Sequence, residues 1–178
     1  GLGDVYKRQV VNGMSDYKRD AENANSALVV SVRPEDFETN SPLAGIEFQR
    51  KYESMAFKLG GSDFSAPVQL AKDFLTGKKS SQLKSVNPSF TGKTVLSDLR
   101  SSLPKFISVT LSEGLRYFDN KIKGFASGGA IMTGVEMRTS APAKIARDSN
   151  FESVGIQGLY PAGEGAGYAG GIISAALD

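Results

Sequence analysis

The 178-residue sequence has neither cysteine nor histidine. Without cysteine there are no disulfides, thiolate nucleophiles or zinc-thiolate sites; without histidine the commonest general base and metal ligand is missing. Chemistry in this chain must come from carboxylates, amines, hydroxyls, the backbone or a cofactor. No stretch approaches the roughly 18–20 continuous apolar residues a membrane span needs, and no charged-then-apolar signal peptide opens the chain. The expectation is a cytoplasmic protein without a membrane partner. Charge is balanced, 21 basic against 19 acidic residues for a net +2, which gives no electrostatic reason to bind nucleic acid. The 40% of hydrophobic residues suffice for a core.

The densest signal lies in residues 158–178, GLYPAGEGAGYAGGIISAALD. A short apolar strand would run through residues 156–162 into an acidic residue and a glycine-rich turn, and a helix of small apolar residues would follow. Strand, tight turn and helix bring backbone N–H groups against an anionic or polar ligand. Glu164 stands just before that turn, where it would repel a phosphate and welcome hydroxyls.

Upstream, residues 1–9 (GLGDVYKRQ) look like translated adapter sequence and are set aside. Val10 and Val11 end a strand that turns at Asn12-Gly13. Residues 14–25 form a polar loop. Residues 26–32 (SALVVSV) are β-branched and predict a buried strand ended by Arg33-Pro34. Ser41 and Pro42 start a helix that runs to Leu59, with Phe48, Tyr52, Met55 and Leu59 on its packing face. Residues 67–75 are a second helix candidate, closed by Gly77. Residues 78–93, with Lys78, Lys79, Lys84 and Lys93, show no periodicity and read as a solvated loop or a lid. Residues 96–103 and 104–121 are helical, with Phe106, Ile107, Leu111, Leu115 and Phe118 facing the core and Asp98 and Ser102 as possible caps. Residues 131–139 and 143–147 suggest adjacent strands, followed by a turn at 148–150.

The blocks VVNGMS, ENANSALVVSV, PLAGIEFQRKYE, IMTGVEMRTSAP and GLYPAGEGAGYAGGIISAA resemble the C-terminal portion of the FAD-dependent dehydrogenases, NAD(P)/FAD-dependent oxidoreductases of the glutathione-reductase-like class. The resemblance covers nearly everything from Val10 to Asp178. It implies an α/β fold, α+β in this fragment: part of a substrate domain at 10–128 and the C-terminal part of a Rossmann-like FAD-binding domain at 129–178. Gly124, Gly128 and Gly129 would supply the hinge between them. The N-terminal FAD-binding half, with its Gly-x-Gly-x-x-Gly, would lie outside this sequence.

The resemblance also implies roles. Glu164 would accept hydrogen bonds from the flavin's ribityl hydroxyls. Gly163, Gly165 and Gly167 would let the backbone approach the cofactor. Ala166, Ala169, Gly170, Gly171 and Ile172 would form the start of a helix facing the isoalloxazine edge. Tyr168 would lie near the ring or serve as a core tyrosine. Arg138, Thr139 and Ser140 would lie beside the flavin, Arg138 alternatively in an ordinary ion pair. Asn12, Asn23 and Asn25 carry a weaker implication, the substrate side of the cleft. The expected activity is hydride transfer through bound FAD to or from an unidentified small molecule, with NAD(P)H as an open electron partner and no identifiable catalytic acid or base. A non-redox nucleotide- or phosphate-binding module, or an α+β structural domain, are the alternatives.

Overall fold

The structure is a computed structural model that describes residues 7–13, 15–83 and 86–178. Residues 1–6 of the set-aside segment, Met14 of the polar loop and Lys84 of the basic loop lie outside the described residues. The fold is α+β, with a three-stranded mixed sheet and helices α1 (Ala44–Leu59), α2 (Ala71–Thr76), α3 (Lys105–Lys121) and α4 (Ile172–Leu177). It divides into two compact units. One holds the described residues up to Val32 and Lys51–Glu136; the other holds Arg33–Arg50 and Met137–Asp178.

The first unit is built on β1 (Ala66–Leu70), whose five side chains are all buried. It pairs in parallel with β2 (Thr94–Leu96) and antiparallel with β3 (Ile131–Thr133), with Val68 opposite Leu96 on one side and Thr133 on the other. Residues 67–75 are therefore not one helix: Ala66–Leu70 is the central strand and only Ala71–Thr76 is helical. A short apolar run buried on both faces is a strand or a helix segment by periodicity alone, and here the two flanking strands decide. Pro67 survives in a central strand because the β3 pairing stops at Val68; its carbonyl still accepts the Gly134 N–H at 3.2 Å. Gly77 ends α2 in the left-handed conformation, φ 68°, as its sequence position predicts.

Buried polar side chains serve the backbone here. Gln69, fully buried, accepts the Leu99 N–H at 2.9 Å and donates to the Lys78 carbonyl at 2.8 Å. Ser80 accepts from the Leu70 N–H and donates to Asp73 at 2.6 Å. Gln9, inside the segment set aside from the sequence, is buried, and its amide donates to the Phe64 carbonyl at 3.2 Å.

On α3, Ile107, Leu111 and Leu115 are buried as the pattern requires, whereas Phe106 and Phe118 are exposed. Asp98 caps the short 3-10 helix Leu99–Ser102, and Ser102 bonds back to the Leu99 carbonyl instead of capping. Residues 26–32 form no strand: Val29 is 63% exposed, and no strand among the described residues pairs with them. A β-branched run becomes a strand only where a neighbouring edge supplies its ladder. Val10 and Val11 likewise lie outside the sheet, with one bond from the Val11 N–H to the Val135 carbonyl.

The second unit starts with the 3-10 turn Pro34–Asp36 and the first residues of α1, where Ser41 accepts the Leu43 N–H at 3.2 Å. Phe37 and Phe48 pack with ring centroids 5.6 Å apart. Gly45 gives the helix room: a Cβ there would stand 2.5 Å from the Pro142 carbonyl oxygen. Residues 134–139 leave the sheet direction after Thr133, residues 143–147 form no strand, and residues 156–162 are irregular. The turn at 148–150 does form, closed by Asp148, whose carboxylate accepts the Asn150 and Glu152 N–H groups. It sets one antiparallel bridge between Arg147 and Ser153 in place of paired strands.

Phe74, fully buried, and Phe118, 39% exposed, separate core from surface. Phe74→Ala should lower the unfolding free energy by about 3–5 kcal/mol, against about 1 kcal/mol or less for Phe118→Ala, read by urea denaturation.

Candidate functional site

The glycine-rich turn of the second unit is irregular backbone, so its N–H and C=O groups need partners from outside any ladder. Gly163 and Gly167 adopt positive φ, 68° and 84°. At Gly167 the chain also passes so close to its neighbour that a Cβ would meet the Ala143 carbonyl oxygen at 2.7 Å. The Gly167 N–H donates to the Glu164 carbonyl and the Tyr168 N–H to the Gly163 carbonyl, which closes the loop; the Ala166 carbonyl accepts the Ile145 N–H. Ala166 is buried.

One guanidinium supplies the rest. Arg147 Nη1 donates to the Pro161 carbonyl at 2.8 Å and to Asp178 Oδ2 at 2.9 Å, while Nη2 donates to Asp178 Oδ1 at 2.6 Å. Asp178 Oδ2 also accepts the Gly163 N–H at 2.8 Å. The Arg147 fork hydrogen bonds and the Gly163 N–H hold the Asp178 carboxyl down to about 2, and Asp178 in turn raises Arg147. The guanidinium lies over the Tyr168 ring, 3.7 Å from its centroid, and Lys144 Nζ approaches the same ring at 4.2 Å. The Tyr168 hydroxyl donates to the Ile145 carbonyl at 3.1 Å.

Around this anchored framework, Glu164 is exposed, and no described residue hydrogen-bonds or pairs with its carboxylate. A Cβ at Gly165 or Gly170 would meet nothing within 4 Å. The Gly165 and Gly170 N–H groups have no backbone acceptor among the described residues. An exposed carboxylate beside free backbone donors on an uncovered glycine surface is a donor and acceptor set for a polar ligand with hydroxyl groups.

The expected helix does not begin at Ala166. Residues 163–167 are turn and 168–171 irregular, and α4 starts at Ile172, where the Ser174 hydroxyl takes the Gly171 N–H at 3.1 Å. Successive glycines keep the backbone out of the helical region until the first Ile. Ile172 itself is 90% exposed. Gly163 is turned inward, its N–H committed to Asp178. Arg138 and the bend at Thr139 and Ser140 are exposed and directly follow Met137, whose carbonyl accepts from Gln49 at 2.8 Å in this unit. In the first unit, Asn23 is engaged with the Asn87 carbonyl and the Ser89 hydroxyl, a loop tether. Arg147, Lys144 and Asp178 were not legible as a set: no spacing rule links residues 31 positions apart. No cluster of metal-ligating side chains occurs among the described residues, and none of their helices is long and apolar enough to cross a membrane.

The fold and site define a small α+β chain with an uncovered, glycine-rich surface turn. The chain belongs to the family described as FAD-dependent protein, C-terminal domain-like, whose family model matches residues 5–139. It is also 56% identical over 171 residues to an uncharacterized protein of Clostridium beijerinckii. That alignment covers 96% of this chain and 32% of the relative, so the chain spans about a third of the length of the curated relative it matches. The family match stops at Thr139, before the glycine turn.

Two substitutions separate conformation from surface. Gly167→Ala should destabilise the fold by about 1–3 kcal/mol, since strain and a backbone clash coincide, while Gly165→Ala should stay within about 0.5 kcal/mol; thermal unfolding of both decides. Asp178 has its carboxyl depressed, so its stabilising contribution is complete above its unfolded value of about 4 and is lost as pH falls from there towards about 2. Acid unfolding of Asp178→Asn should lack that component.

Proposed function

We propose that the second unit forms the ribityl and isoalloxazine side of an FAD site in an oxidoreductase of the glutathione-reductase-like class. The observation that carries this reading is the exposed, unpartnered Glu164 beside the uncovered Gly165 backbone, in a chain of an FAD-dependent family. The residues fit the group. Glu164 would accept from ribityl hydroxyls with charge-assisted hydrogen bonds, and a carboxylate serves several hydroxyls at once. Gly165 and Gly170 leave room for a flat ring or a sugar chain to approach the backbone, and their N–H groups would donate to it. Gly163 and Gly167 set the turn without touching the ligand, and Tyr168 is held by Arg147 and the Ile145 carbonyl as its side wall.

Bound FAD supplies the hydride chemistry. The Gly165 and Gly170 N–H groups would favour negative charge growing on a flavin held there. Arg138, Thr139 and Ser140, all exposed, are proposed to contact the flavin or an acidic substrate from the same unit. The activity proposed is hydride transfer between flavin and a small molecule in the cytoplasm, with NAD(P)H left open as the electron partner.

The full gene product should be yellow, with the two visible absorption bands of oxidised flavin, and Glu164→Ala should weaken FAD binding by about tenfold through the lost charge-assisted bonds. Colourless protein that takes up no FAD on refolding refutes the flavin site and favours a non-redox nucleotide-binding module.

A further inference from the structure

We infer that Arg147 is the positioning residue of the glycine turn, a clamp whose planar fork fixes where Glu164 and Gly165 are presented. The inference rests on the flavin reading only for what the turn is presented to.

The contacts themselves make the case. A single guanidinium reaches the turn on three sides: the Pro161 carbonyl two residues before Gly163, the Asp178 carboxylate that holds the Gly163 N–H, and the face of Tyr168 at the turn's far end. A second ring, Phe151, lies 4.7 Å from the guanidinium carbon, so aromatic surface also restrains it from another residue of this unit. The Arg147 side chain is 9% exposed and that of Asp178 16%, in an ion pair that lies at the surface of the unit. Between the clamped points, Glu164 and Gly165 receive no contact from the clamp. Arg147 and Asp178 pair with each other, and no described residue is seen to pair with the Glu164 carboxylate.

The geometry requires arginine. Two nitrogens of one plane serve the two oxygens of Asp178 while one of them also serves the Pro161 carbonyl. A lysine would keep the charge but not the fork, and it would not stack as a plane on Tyr168.

The test uses the full gene product and compares Arg147→Lys, Arg147→Ala, the near-isosteric Asp178→Asn and the double variant Arg147→Ala/Asp178→Asn. Amide hydrogen exchange without added flavin is read first. Exchange at the bonded amides of the turn, Gly163, Gly167 and Tyr168, should rise about tenfold in each single variant, with the double variant no worse than either single, because the two side chains act as one unit. Amides of α3 and β1 should be unchanged. Arg147→Lys should resemble Arg147→Ala, which a role of mere charge would not produce. FAD dissociation constants should rise in parallel, by about tenfold, in proteins whose melting temperature is within a few degrees of the parent. Unchanged turn exchange in Asp178→Asn, full rescue by Arg147→Lys, or additive effects in the double variant each overturn the clamp. The flavin reading fails separately: if Glu164→Ala leaves FAD affinity as it was while the Arg147 variants still loosen residues 163–168, the clamp stands and the ligand is another.

Discussion

Backbone that forms no ladder must find its hydrogen-bond partners in side chains, and this constraint governs both units. In the first, the sheet is only three strands wide, and segments packed against it lean on Gln69 and Ser80 for their N–H and C=O groups. In the second, regular structure is limited to the first residues of α1, one 3-10 turn and α4, so the demand is heavier. Asp148 ties one turn and Arg147 with Asp178 ties the next. An arginine with five donors can do for an irregular turn what a neighbouring strand does for a β-edge. Removing it correspondingly takes a partner from the Pro161 carbonyl, the Asp178 carboxylate and the Tyr168 ring together, not from one ion pair alone.

Elements whose signals are local could be read from the sequence. α1 and α3 follow from apolar spacing, the end of α2 from Gly77, and the turn at 148–150 from its Asp-Ser-Asn composition. Elements whose existence depends on a distant partner could not. Residues 26–32 carry strand composition but pair with no strand, and residues 143–147 reach only one isolated bridge at Arg147, whereas residues 66–70 carry an ambiguous composition and two edges. Even Phe106 and Phe118, placed on the buried face by their spacing, lie at its margin, because the buried strip of α3 is only as wide as the surface it covers.

The candidate site shows the same division. The glycine turn was legible because a glycine cluster signals a tight turn, and Gly163 and Gly167 take conformations that only glycine adopts freely. What the sequence withheld was the support: the arginine, the carboxylate and the carbonyl that hold the turn come from separate stretches of chain. The family relationship adds the cofactor class from residues 5–139, so it and the glycine turn bear on the flavin reading from different parts of the chain.

The register of the sheet sets the pace at which the first unit is made. β1 cannot be enclosed until Thr94–Leu96 has returned to one edge and Ile131–Thr133 to the other, with the whole of α3 lying between those two events in the chain. Each pairing closes a long loop before it is rewarded by hydrogen bonds, which raises the contact order and slows folding. α3, made of local contacts, has the means to form early, and β3 is the later arrival. On a ribosome this means that the apolar centre of the unit stays uncovered until residue 133 has emerged, a window in which a chaperone has more to offer than at any later stage.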